Sequence, residues 1–210
     1  MPTKLTIPIS EADIRALRVG DSVLLDGVMV TGRDAAHKWM AEKFIKSIAP
    51  TTDEDRQVYA ALKSLLAGGA IYHCGPVVKK LPDGKWAFVA AGPTTSIREE
   101  PYQADVISHF GLRAVIGKGG MAAKTLEGCQ KYGAVYLHAI GGAATLIGER
   151  VKQVLTVYKK DEFGVPEAFW VIRVQDFPAV VTMDAHGKSL HAEIKASSQA
   201  KLAELVEAWS

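Results

Sequence analysis

Residues 112–142 read LRAVIGKGGMAAKTLEGCQKYGAVYLHAIGG. An apolar run ends at Gly117, then come Lys118 and two glycines, a helical stretch, and a second apolar run that closes on Gly141 and Gly142. Strand, glycine-rich loop, helix and strand make a βαβ unit, in which the two strands run parallel beneath the helix. One such unit places the chain among layered α/β folds.

Working outward, the same alternation continues. KLTIPI (4–9) reads as a strand, and SVLLDGVMVTG (22–32) as two apolar runs joined by Asp26-Gly27, the dipeptide of a tight hairpin. In RDAAHKWMAEKFIKSI (33–48), Ala36, Met40, Phe44 and Ile48 recur at every fourth position with Ile45, which predicts an amphipathic helix capped by Asp34. SIAPTTDEDRQ is a linker candidate, and DRQVYAALKSLLAGG a second helix. AIYHCGPVV and KWAFVAAGP read as strands around Pro82-Asp83-Gly84, and YQADVISHFG as a helix. Beyond the opening stretch, GAATLIGER is helical, residues 151–183 are rich in β-branched and aromatic residues, and SSQAKLAELVEAWS is a terminal helix. The expectation is one α/β domain over residues 1–210, its sheet mixed because hairpins accompany the βαβ unit, with helices flanking it.

The bulk composition narrows the function. Apolar residues are 48% and charged residues 23% of the 210, and the net charge is +2. The cations are dispersed, so neither nucleic acid nor an anionic membrane is an expected partner. No apolar run approaches the length that crosses a bilayer, and MPTKLTIPIS lacks the apolar core of a secretory signal. A cytoplasmic protein is expected. Cys74 and Cys129 lie 55 positions apart, a spacing that matches no zinc pattern, and two thiols are too few for an iron–sulfur cluster.

Three stretches offer chemistry, each beside a plainer reading. In TGRDAAHK, Arg33 stands where a strand yields to a helix and can meet an anion held by free N–H groups, or simply pair with a surface carboxylate. In AGPTTSIREE, Thr94, Thr95 and Ser96 precede Arg98; they form either an anion grip with a bidentate guanidinium or a hydroxyl-rich helix cap. In AVIGKGGM, Lys118 and Gly119 form a backbone nest with a charge at its lip, or a tight βα turn with the lysine in water. It is not a Walker loop, because GxxxxGK[ST] is absent. His73 and Cys74 lie within an apolar strand and read as core, and no histidine has metal-ligand spacing.

Together these stretches resemble one family. GDSVLLDGVMVTGRDAAHK, IYHCGPVV, GPTTSIR, VIGKGGM, EGCQKYGAVYLHAIGGAA and VPEAFWVIRVQDFPAVVTMDAHGKSL occur in the order seen in the beta subunit of class I iron–sulfur fumarate hydratases and the related tartrate dehydratases. The resemblance covers nearly the whole chain. It implies a swivelling β/β/α domain similar to the mobile domain of aconitase. It also implies an alpha subunit, in an α2β2 assembly, whose three cysteines bind a [4Fe–4S] cluster that this chain does not ligate. Carried over by motif, Arg33 and Arg98 would grip the carboxylates of a C4 dicarboxylate, with Thr95, Lys118 and Gly119 completing the binding set. Thr94 corresponds to the residue proposed as base, and His37 is the other acid/base candidate. After Arg98 the family often has Met-Glu, where this chain has Glu99, Glu100 and Pro101. The implied activity is reversible hydration of fumarate to (S)-malate. Dehydration of L(+)-tartrate to oxaloacetate is the alternative within the class, and a non-catalytic dicarboxylate or phosphate module lies outside it.

Overall fold

The computed structural model describes residues 1–207 and 209. Its spine is two long strands, β2 (Ser22–Thr31) and β9 (Phe169–Met183), paired antiparallel. Around them lie β1 (Thr3–Ile7), β3 (Ala70–Tyr72), β6 (Ala114–Gly117), β7 (Val135–His138) and β8 (Val151–Tyr158), in the order β1-β2-β3-β6-β7-β9-β8. β1, β2, β3, β6 and β7 run parallel to their neighbours, and β9 is antiparallel to β2, β7 and β8. The sheet is therefore mixed, as expected. Because β9 pairs with both β2 and β7, the strands β2-β3-β6-β7-β9 close into a ring. A separate hairpin holds β4 (Val77–Lys80) and β5 (Trp86–Ala90).

Alternation along the strands sorts side chains to two cores. Leu25, Met29, Tyr72, Ile116, Leu137, Trp170 and Phe177 form one cluster, with no partly buried or buried helix residue other than those near the chain start and the Ile147 turn joining it. Val30, Ile71, Val115, Tyr136, Phe169 and Val171 point the other way, against four helices. These are α2 (Asp34–Met40), continued by a π-helical turn at Ala41–Ile45, α3 (Asp53–Leu66), α4 (Glu100–Phe110) and α5 (Ala123–Tyr132). The remaining helices are α1 (Glu11–Ala16), α6 (Ala144–Gly148), α7 (Lys160–Phe163) and α8 (Leu190–Glu207).

Two local expectations are corrected. Asp26-Gly27 does not turn a hairpin but lies inside the single strand β2, opposite a bulge that Gln175 and Asp176 form in β9. β9 flanks both halves of the run and β1 the first, and Gly27, at φ +125°, presses so close to β1 that a Cβ there would stand 2.7 Å from the Ile7 carbonyl oxygen. The Asp26 carboxylate accepts the Asp176 N–H across the bulge at 2.6 Å. Asp34 does not cap α2 either, because it is already the first helical residue; Arg33 holds the cap position and makes no side-chain cap bond. AIYHCGPVV is two strands, since the chain leaves the sheet at His73 and resumes as β4 only at Val77.

Candidate active site

The C-terminal ends of β2, β3, β6 and β7 share one edge of the sheet, because these strands are mutually parallel. Ligands of parallel α/β sheets, closed or open, gather beyond the carboxyl ends of the strands. Arg33 follows β2, Gly75 follows β3, Lys118 and Gly119 follow β6, and Gly141 follows β7.

The loop 91–99 crosses this edge and is stitched to it by backbone bonds. Cys74 bridges Pro93, Thr94 N–H donates to His73 O at 2.6 Å, and Thr95 pairs with Lys118 in parallel fashion. Lys118 N–H donates to Thr94 O at 3.1 Å, and Ser96 N–H to Lys118 O at 3.0 Å. The Tyr72 hydroxyl donates to Ala91 O from inside the core. Glycines allow the approach. A Cβ on Gly75 would collide with the Arg33 guanidinium, and one on Gly119 would touch the Thr95 methyl at 3.8 Å. A Cβ on Gly141 would lie 3.6 Å from Lys118 Cδ. The structure thus brings Arg33, Thr94, Thr95, Lys118 and Gly119 to one edge.

Arg98 joins them through Asp34. Its Nε lies 3.4 Å from Asp34 Oδ2, while Arg33 Nε lies 3.3 Å from Glu167 Oε1. Glu167 also accepts the Ala35 N–H at 3.2 Å, at the start of α2. Both contacts are longer than a tight charge-assisted bond of about 2.8 Å. Arg33 is only 19% exposed and packs its Nη1 against Gly75, its buried Nε making no hydrogen bond, whereas Arg98 is nearly half exposed. Lys118 Nζ has no ion-pair partner among the described residues.

His37 lies beneath this surface, not on it. It is fully buried, with Nδ1 2.9 Å from Arg33 O and Nε2 3.1 Å from Gln103 Oε1. Burial depresses its pKa to about 4 against the pull of these bonds, so the ring is neutral near pH 7. His73 is buried edge-on to it, 5.0 Å between ring centres. His73 Nε2 lies 2.9 Å from Gln103 Oε1, and its Nδ1 2.8 Å from Ser96 Oγ, which accepts from the Tyr136 hydroxyl at 2.9 Å. Burial, then the neighbouring His37, holds His73 well below the usual imidazole range. Neutral His37 gives its one N–H to Arg33, so its Nε2 needs a donor, which the Gln103 amide supplies by turning its NH2 toward the rings.

Gln103, Glu99 and Glu167 belong to this arrangement but carry no motif of their own. A usable signal was spacing: Glu99 and Gln103 fall on the helical face of Val106, Ile107 and Phe110, where a polar residue is out of place. Glu100 instead turns to α5, accepting from Ala122 N, Thr125 N and Thr125 Oγ1.

Comparison with known proteins matches residues 2–194 to the family model described as Fumarase C-terminus. The chain belongs to the fumarase C-terminus family. Within it, the chain is 50% identical over 203 residues to a Geobacillus stearothermophilus protein named fumarate hydratase class I, covering 97% of this chain but 36% of that one. It is 40% identical over 192 residues to the L(+)-tartrate dehydratase subunit beta of Escherichia coli K12, covering 91% and 87%. A Methanocaldococcus jannaschii protein named L(+)-tartrate dehydratase subunit beta is 38% identical over 199 residues, covering 94% and 95%. Both names denote hydro-lyases.

The family's iron–sulfur association prompts a test of this chain's own ligands. Cys74 lies in the core inside the ring and Cys129 in the core beneath the helices; both are free and fully buried. Burial raises both thiols, Cys129 to about 12, which disfavours the thiolate that binds iron. Among the described residues no group of three or more His, Cys, Asp or Glu is placed to hold a metal ion. These residues do not fit a cluster. No helix among the described residues is long and apolar enough to cross a membrane.

Proposed function

We propose that this chain is the beta subunit of a [4Fe–4S]-dependent hydro-lyase that interconverts fumarate and (S)-malate. Residues 1–210 would act as one swivelling unit, similar to the mobile domain of aconitase, that closes over substrate against a cluster-bearing alpha subunit. The observation that carries the reading is the gathering of Arg33, Arg98 and Lys118 beside the Thr94 and Thr95 hydroxyls, in a member of this family.

Each cation has a task in that reading. Removing a proton beside a carboxylate drives negative charge onto that carboxylate. Arg33 and Arg98, already oriented by Glu167 and Asp34, would meet the two substrate carboxylates with their terminal nitrogens. Lys118 would add the third positive charge, and the exposed Gly119 leaves space for the ligand. Cations fixed beforehand stabilise the developing charge without reorganising when it appears. Thr94 Oγ, close to Lys118 by the backbone bonds, would exchange the proton; a neutral alcohol is a weak base, and the nearby ammonium favours its ionised form. His37, buried and neutral, would act by holding the Arg33 carbonyl and the network behind the clamp rather than by touching substrate.

Tartrate is the second substrate reading, favoured by the two relatives of that name, which are covered over nearly their whole length. The deciding experiment is anaerobic reconstitution with an iron–sulfur alpha subunit, followed by assays on malate, fumarate and L(+)-tartrate. Turnover of malate and fumarate by the pair, with none by either chain alone, is expected. Turnover of L(+)-tartrate alone transfers the assignment to the dehydratase, and robust turnover by this chain alone refutes the half-enzyme reading.

A further inference from the structure

The fold buries Glu99 completely. Neither carboxyl oxygen has a conventional hydrogen-bond donor. His73 Nδ1, the nearest ring nitrogen, is 4.0 Å from Glu99 Oε2 and is already engaged with Ser96. The Glu99 carboxyl instead meets that of Asp34, whose Oδ1 is likewise buried without a donor and whose Oδ2 faces Arg98 Nε at 3.4 Å. The groups facing Glu99 are Asp34 from α2, His73 from the end of β3, Tyr136 from β7, and Arg98 from its own turn. His73 is neutral and Tyr136 is protonated, so one cation faces two carboxyl groups.

Two abutting carboxyls with orphaned oxygens are satisfied by one proton held between them. We propose that Glu99 is a positioning residue which, protonated, donates to Asp34 and thereby sets how much of the Arg98 charge is open to a bound carboxylate. With the proton present, Asp34 and Arg98 form one ion pair, and the outer guanidinium nitrogens face the cleft. When the proton leaves, two negative charges stand behind one guanidinium, and its pull on an incoming carboxylate weakens. Burial, followed by the Asp34 carboxylate, pushes Glu99 up to about 8, so the exchange falls just above neutral pH. The inference rests on the clamp of the proposed function but not on the reaction that follows.

Two readouts test it, with wild type and Glu99→Gln, whose amide copies the protonated acid. The first is thermal unfolding of the full chain. Glu99 has a folded pKa above its unfolded value, so its contribution is full below about pH 4.5 and is lost as pH rises through about 8. From about pH 6 to 9 the wild-type midpoint should fall by roughly 4 °C or more relative to Glu99→Gln. Parallel profiles would overturn the shared proton. The second is calorimetric binding of succinate, a non-reacting dicarboxylate, to the chain assembled with its alpha subunit. One unit above the midpoint about a tenth of the molecules keep the proton, so the wild-type Kd should rise about tenfold from pH 7 to 9. The Glu99→Gln profile should stay flat within about twofold, and Glu99→Met should match it if the amide folds poorly. Equal rises in wild type and variant would overturn the gate, and absent binding at every pH would overturn both gate and clamp. Succinate binding without turnover of any substrate leaves the gate standing and removes only the hydro-lyase assignment.

Discussion

Arg98 illustrates how little of a side chain's role lies in its own letter. Its guanidinium is nearly half exposed beside Asp34, and in the proposed clamp it would offer a planar pair of terminal donors. Lysine can replace the charge but not the two-point contact. Arg98→Lys in the assembled enzyme should lower kcat/KM about 30-fold, corresponding to about 2 kcal/mol, with the unfolding midpoint unchanged. Kinetics within about twofold of wild type would remove Arg98 from the clamp. At this scale, Arg33, Thr94 and Lys118 were legible in the sequence because each adjoins a glycine or proline that breaks a strand, and Arg98 because it follows a run of hydroxyls. Glu99, Gln103 and Glu167 were not, since a carboxylate or amide near a helix start reads as solvated until its burial is known. The burial of His37 was hidden for the same reason: its position one turn inside a helix says nothing of which way that helix faces.

The clamp is only as firm as the elements that carry it. Arg33 rides at the start of α2, and the far end of that helix is fastened by a buried carboxylate, Asp55, at the start of α3. Lys43 Nζ and Lys159 Nζ each lie 2.6 Å from it, Trp39 Nε1 donates at 3.1 Å, and Thr52 N–H at 3.0 Å. Burial alone would raise Asp55, but Lys159, Lys43 and the other donors outweigh it and hold the carboxyl far below its usual range. Lys159, only 4% exposed, comes from the end of β8, so one carboxylate ties α2, α3 and the β8–α7 corner together. Removing one member leaves a buried charge without its partner. Asp55→Ala should cost about 3–5 kcal/mol in equilibrium urea unfolding, and a loss below about 1 kcal/mol would show that the node is not structural. Element types were mostly readable from period and punctuation. The failures came where tertiary neighbours overrode a local signal: β1 and β9 held Asp26-Gly27 within one continuous strand, and loop 91–99, bonded to His73 and Lys118, split AIYHCGPVV in two.

Across the whole molecule, the βαβ stretch at 112–142 fixes the parallel set of strands, and the parallel set fixes which edge gathers the loops. What it could not reveal is the closure of the ring, because β2 and β9 pair across nearly the full chain and no local pattern encodes that register. Closure matters to the site, since β9 braces both β2, which carries Arg33, and β7, which neighbours the strand carrying Lys118. In the proposed function this chain supplies the cationic grip on the substrate anion, and another polypeptide would hold the reactive iron. A crystal structure of the assembled enzyme with a bound C4 dicarboxylate tests that division most directly. The expected result is carboxylate oxygens within hydrogen-bonding distance of the Arg33 and Arg98 terminal nitrogens, with Lys118 alongside and Thr94 Oγ facing a substrate carbon. A dicarboxylate seated elsewhere, with those side chains turned to solvent, would contradict it.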